Sequence, residues 1–231
     1  PNILWDGDFS YHSGQTRGMI EHFEDVAQKV IRRYKPAANS LVVDVGSNDG
    51  SMLQCFKRQG LRVMGIDPVK EIAKKANDAG IETLPEILTP ELAKQIRRKH
   101  GSAAVITAFN VFAHADDMAG MTDSIHHMLA SDGVFLFEVQ YLLDIIDHML
   151  LGTIFHEHLC HHSVKPMRQF LRRHGMELID VERVTIQRGS IIGTAQRTGG
   201  PHPLSPSVEE LLTLEKERRL DRPETVRQFA D

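Results

Sequence analysis

Two rhythms of apolar residues alternate along this chain. Short unbroken runs of β-branched and aliphatic residues occur at Leu41 to Val45, Leu61 to Ile66, Ile81 to Leu84, Ala103 to Ala108 and Gly133 to Val139. Between them apolar positions recur every three or four residues, as in Met19, Phe23, Val26, Val30 and Ile31 before Pro36. The first rhythm predicts buried strands and the second amphipathic helices. The expected helices are Thr16 to Lys35, Ser51 to Gln59, Val69 to Ala79, Pro90 to His100 and Met118 to Leu129. Strand and helix in strict alternation indicate an α/β fold, a doubly wound and mostly parallel sheet with right-handed crossovers.

After Val139 the alternation breaks. Tyr141 to Leu150 reads as an inserted helix, followed by a polar, histidine-rich loop. Helix and strand then return at Lys165 to His174 and Met176 to Val184, with a last strand at Ser190 to Arg197. Finally Ser205-Pro206-Ser207 caps a charged helix, Val208 to Leu220, whose Glu and Arg pairs predict a solvent-facing element. Neither an internal repeat nor a low-complexity tract occurs.

Composition narrows the function classes. With 231 residues, 41% of them hydrophobic, the chain can bury one sizeable core. A net charge of −4 and the lack of a basic run with interleaved aromatics argue against a nucleic-acid partner. No stretch reaches membrane-spanning length. Two separated cysteines, Cys55 and Cys160, form no C-x-x-C pair, which predicts a reducing, cytoplasmic setting without a cysteine zinc site. The chain opens at Pro1-Asn2 without an initiating Met or signal pattern, the expectation being a processed product or an excised segment.

The first strand runs into Asp44-Val45-Gly46-Ser47-Asn48-Asp49-Gly50 and then a helix. Such a turn lets backbone approach a ligand and aims helix N–H groups at it. Asn48 stands where a dinucleotide fingerprint needs glycine, and no Lys follows Gly50 as a P-loop requires. The remaining pattern, D-x-G-x-x-x-G, resembles the first motif of class I S-adenosylmethionine-dependent methyltransferases. About 20 residues on, the second strand ends in Asp67-Pro68, where a carboxylate can accept both ribose hydroxyls. Asp44, Gly46, Ser47, Asn48, Gly50, Asp67 and Pro68 are therefore the expected cofactor residues. Asn110, Phe112 and His114 follow the fourth strand, at the carboxyl edge where open α/β sheets keep ligands. Asn110 and Phe112 are assigned to the cofactor as well.

Four of the 13 histidines fall between His156 and His162, beside Glu157 and Cys160. Metal ligation, a structural loop and general-base chemistry all suit such a cluster. The H-E-x-x-H pattern is absent, and in an extended segment Glu157 points away from His156 and His158, so no metal is assigned. A histidine beside a carboxylate suits removal of a proton from carbon next to a carbonyl.

Several separated segments together resemble the sugar C-methyltransferases that act on carbon 3 of nucleotide-linked keto-deoxysugars. They are Val42 to Gly50, Gly65 to Pro68, Asn110-Val111-Phe112-Ala113-His114, Glu138-Val139-Gln140-Tyr141-Leu142, Thr153 to Leu159, Asp180 to Arg183 and Gly189-Ser190. The resemblance implies a seven-stranded sheet with a helix-loop insertion after strand 5 and S-adenosylmethionine as cofactor. It also implies a lid segment and helix over 1–37, a catalytic domain over 38–200 and a helical extension over 201–231. His158 would be the base, Glu157 its neighbour, and His114 and Tyr11 substrate-side groups, with Gln140 and Phe155 against the substrate. Departures exist too. Phe155 replaces the Tyr of the family's Tyr-His-Glu-His, Arg188 precedes Gly189-Ser190, and Ile192 stands where an Arg is expected. The family's N-terminal cysteine zinc module and C-terminal domain are not in the sequence, the expectation being an excised piece, a split protein or a relative with an altered substrate. The competing expectations are a small-molecule O- or N-methyltransferase and a degenerate cofactor-binding protein.

Overall fold

The computed structural model describes residues 18–154 and 157–230. Nine helices and seven strands of the described residues follow one another as α1 (Met19–Tyr34), β1 (Leu41–Val45), α2 (Ser51–Arg58), β2 (Arg62–Ile66), α3 (Lys70–Asp78), β3 (Thr83–Leu84), α4 (Pro90–His100), β4 (Ala103–Phe109), α5 (Met118–Met128), β5 (Leu129–Gln140), α6 (Leu142–Asp147), α7 (Val164–Arg173), β6 (Met176–Val184), β7 (Ser190–Arg197), α8 (Pro206–Glu217) and α9 (Pro223–Ala230). The strands form one sheet in the order β3-β2-β1-β4-β5-β7-β6. Pairs up to β5 are parallel, while β7 lies antiparallel between β5 and β6. This is the expected doubly wound, mostly parallel sheet, and an antiparallel hairpin closes it.

Alternation along β1 explains why the sheet is covered twice. Leu41, Val43 and Val45 join one apolar cluster with Ile96, Ile125, Met128 and Leu171, whereas Val42 joins another with Phe23, Val26, Val30, Leu53 and Phe56. Successive side chains of a strand face opposite ways, so one five-residue strand serves both cores. Helix α4 has the expected bounds because its ends are chemically marked. Thr89 accepts from the Leu92 amide at 3.2 Å, Pro90 opens the helix, and Gly101 ends it with φ +85°.

Two expectations change. Strand β5 starts at Leu129 rather than Gly133, because the parallel partner β4 takes up Leu129 opposite Ala103 before its register shifts. A Cβ on Gly133 would lie 2.8 Å from the Ala103 carbonyl oxygen, and glycine lets that approach happen. Helix α8 is not simply solvent-facing, since Val208 and Glu215 are buried. The Glu215 carboxylate accepts from the Val164 amide at 2.5 Å, the Lys165 amide at 3.0 Å and the Tyr141 hydroxyl at 3.1 Å. An acid against the open first turn of α7 satisfies its amides and its dipole together. The same contact ties the start of the insertion to the rest of the fold. Further along the insertion, Arg183 of β6 donates through Nε to both Asp144 oxygens at 3.0 and 3.2 Å. No helix among the described residues is long and apolar enough to cross a membrane.

Candidate active site

The carboxyl edge of the parallel strands opens into a cavity of about 680 Å³. One side is the glycine turn. Gly46, Asn48 and Gly50 all have positive φ, at +72°, +48° and +78°, so the chain turns three times within five residues. Gly46 and Ser47 both donate to the Ile66 carbonyl, at 2.8 and 3.1 Å, which pins the turn to the end of β2. A Cβ on Gly46 would come within 2.5 Å of Val111 Cγ2, so only glycine leaves the cavity this close to the backbone. Asp67 is buried and takes the Asn48 amide on Oδ2 at 2.8 Å and the Val69 amide on Oδ1 at 2.9 Å. A carboxylate has about four acceptor sites, so each oxygen keeps one for a ligand hydroxyl. Asp44 receives Thr107 Oγ1 at 2.6 Å, and burial pushes its pKa up to about 7.

The other side is the histidine loop. Leu159 donates to the Ala113 carbonyl at 2.8 Å, and Leu142 donates to the His162 carbonyl at 2.9 Å, which brings residues 157–162 against the turn after β4. The His114 and His158 rings then lie 4.9 Å apart, with His161 edge-on to His158 at 5.9 Å. Both of the first pair have a defined tautomer. His158 Nδ1 lies 2.7 Å from the Thr153 carbonyl, and His114 Nδ1 lies 2.8 Å from the Glu157 carbonyl. A carbonyl only accepts, so each Nδ1 carries a proton, and in the neutral ring the lone pair is on Nε2. Burial lowers the pKa values of His114 and His161, and it drives His162 down to about 4. Cys160 Sγ sits 3.4 Å from His162 Nε2, with its thiol pKa raised by burial.

Asp44, Gly46, Ser47, Asn48, Asp67, Pro68, Asn110, His114, Gln140, Glu157 and His158 all line this one cavity. Two expected residues stand outside it. Phe112 is fully buried, its ring 5.8 Å from Phe135 and 5.7 Å from Phe137, because the short turn after β4 points it into the core. Gly50 is the N-cap of α2, and a Cβ there would meet Ile81 at 3.2 Å. Tyr11, Phe155 and His156 lie outside the described residues. The wall also holds Gln187, which sequence reasoning passed over, and Val111, Cys160, His161 and His162, which it quoted within motifs or the histidine cluster without assigning them to the site. Glu138 stands in one of the matching segments and was given no role, although an acid inside an otherwise apolar strand is itself a signal. Among the described residues, no three His, Cys, Asp or Glu side chains are grouped to hold a metal ion.

Comparison with known proteins gives the family and the fold. A family of proteins described as "Methyltransferase domain" matches residues 18–181. The C-methyltransferase NovU of Streptomyces niveus is 32% identical over 230 residues, a match that takes in 100% of this chain and 54% of NovU, so the chain spans about half the length of that curated relative. Among solved structures, the magnesium protoporphyrin IX methyltransferase of Synechocystis PCC 6803 with bound S-adenosylhomocysteine superimposes with a TM-score of 0.60 at 16% identity, over 85% of this chain and 91% of that one. A chain from the complex of the Haloferax volcanii Trm112 methyltransferase activator with its methyltransferase gives 0.62 at 16% identity, over 82% and 95%.

Proposed function

The chain belongs to the S-adenosylmethionine-dependent methyltransferases, and on that premise we propose that it methylates a carbon next to a carbonyl, the acceptor being carbon 3 of a nucleotide-linked 4-keto-deoxysugar. The observation that carries this reading is that the Gly46 turn and the His158 ring line one cavity, with the His158 tautomer set by the Thr153 carbonyl.

The residues of the turn side fit the cofactor. Asp67 keeps acceptor capacity for ribose hydroxyls, the Gly46 approach leaves room at the backbone, and Ser47 Oγ is buried without a hydrogen-bond partner. Bound there, S-adenosylmethionine supplies an electrophilic methyl group. On the facing side His158 Nε2 removes the proton from the acceptor carbon, and its Nδ1–H keeps donating to Thr153 throughout. Glu157 lines the same cavity beside it. His114 presents a lone pair at Nε2, so it orients the acceptor by receiving a hydroxyl rather than by holding an enolate oxygen. The Gln140 Oε1 atom is buried with no donor facing it, which suits a second acceptor hydroxyl.

The test is hydrogen exchange. The protein, S-adenosylhomocysteine and a thymidine-diphosphate 4-keto-2,6-dideoxysugar are incubated in deuterated water. Deuterium should enter at carbon 3 at a rate that His158→Gln abolishes. Exchange that is absent, or that persists unchanged in the variant, rejects His158 as the base. Analysis of the methylated product by NMR separates a C-methyl from an O- or N-methyl outcome.

A further inference from the structure

Beneath the cavity floor lies a polar group that the proposed chemistry does not use. Glu138, near the end of β5, is 0% exposed on the α1 face of the sheet, the face that Leu136 and Ile192 share with Phe23. One carboxylate oxygen faces His22 Nε2 of α1 at 2.5 Å, and the other receives Asn110 Nδ2 at 3.1 Å. The Asn110 backbone amide also donates to the Glu138 carbonyl, at 2.8 Å. Burying a carboxylate is costly unless it meets charge or several donors. The side chains that meet it are His22 and Asn110, and the His22 ring lies 6.0 and 6.2 Å from the Phe23 and Phe109 rings, tilted against both.

The consequence falls on Asn110. Its φ of +58° is a left-handed conformation that Asn tolerates and most residues do not. Held by two hydrogen bonds to one residue, its amide has a single orientation: the NH2 group turns to Glu138 and the carbonyl oxygen turns away from it. Asn110 lines the cavity where the two sides meet, since Val111 touches the Gly46 turn and His114 faces His158. An amide oxygen there, backed by a buried carboxylate, favours a ligand group that is positive or carries polarised hydrogens.

We propose that Glu138 and His22 are positioning residues that aim the Asn110 carbonyl at the methyl sulfonium, so that this triad selects the charged methyl donor over the demethylated, neutral product. The proposal rests on the cofactor reading above. Helix α1 also supplies Met19 and Phe23 to the cavity wall, so the His22–Glu138 contact docks that wall onto the floor it closes.

The experiment is calorimetric binding of three ligands to the whole protein. S-adenosylmethionine carries the sulfonium methyl, sinefungin carries an amine-bearing carbon in its place, and S-adenosylhomocysteine carries neither. Glu138→Gln and Asn110→Ala should weaken the first two about tenfold, the usual worth of a hydrogen bond to a charged group, and leave S-adenosylhomocysteine within about twofold. His22→Gln, at the rim of the core and less prone to unfold the protein, should shift the same ratio in the same direction. Melting curves of each variant report folding independently. Equal loss for all three ligands, or no change in the ratio in folded variants, overturns the proposal. Failure of the unsubstituted protein to bind any of the three removes the cofactor reading itself, and the proposal with it.

Discussion

The two sides of the cavity are built by opposite means. The turn side is backbone: glycines at positive φ, amides donated to Asp67 and to the end of β2, and carboxylates buried close behind. The histidine side is side chain: imidazoles on an insertion that no sheet pairing carries beyond one bridge between Tyr141 and His162. It is held instead by carbonyl contacts at Thr153 and Glu157 and by the Glu215 and Asp144 carboxylates beneath it. The comparison teaches a division of labour. Rigid backbone suits a cofactor that is the same for every relative, while replaceable side chains suit an acceptor that is not.

Breaking the histidine side alone should have the largest effect. His158→Gln is expected to lower kcat by about a thousandfold, the usual worth of a general base, while cofactor affinity stays within about twofold. Single-turnover kinetics beside calorimetry check both numbers. A comparable loss of cofactor binding would show that the two sides are not separate.

Acidity separates them next. His162 has its pKa lowered to about 4, so its contribution to stability is complete above the unfolded value of 6.5 and is lost as pH falls from there to 4. Asp44 has its pKa raised from 3.8 to about 7, so its contribution is complete below 3.8 and is lost as pH rises to 7. The Asp44 shift is worth about 4 kcal/mol and the His162 shift about 3 kcal/mol, and across this window they oppose each other. The unsubstituted protein should therefore show a nearly flat stability between pH 4 and 7. Denaturant titrations of His162→Gln should fall with rising pH, and those of Asp44→Asn should rise. Parallel slopes in the two variants would refute the assignment of opposite signs.

Gly46→Ala tests the turn side. The new Cβ meets Val111 Cγ2 and holds a strained φ, so a cost of about 2 kcal/mol in stability is expected. Cofactor affinity should fall about a hundredfold as the backbone is pushed from its seat. The smallest effect is expected at Ser47→Ala. Its hydroxyl is buried with no partner, so the ligand-free protein should melt at the same temperature or slightly higher. Cofactor binding should weaken about fivefold if that hydroxyl meets the ligand.

Much of this arrangement was legible in the sequence, and the reasons are local. The bounds of β6 and β7 are those expected, because strand-forming runs sit between Gly175 and the Gly189 and Gly199 turns. The glycine turn could be placed in a cavity from its spacing, since conformations that exclude a Cβ restrict the residue type directly. The helix α8 face was misread because a Glu next to Arg and Lys looks solvated until the open end of α7 is set against it. Phe112 was placed on the ligand because proximity along the chain does not tell which way a short turn points a ring.

The deeper gap is Glu138. An acid at the end of an apolar strand is visible in the sequence, but its partners His22 and Asn110 are separated from it by 116 and 28 positions. From the residues alone come the strand and helix order and the cofactor turn, properties of periodicity and of backbone that few residues tolerate. The meeting of imidazoles with the turn, their tautomers and the buried carboxylate under Asn110 were decided by the tertiary structure. Those depend on which distant donors reach which acceptors once water is excluded, and no local pattern encodes that.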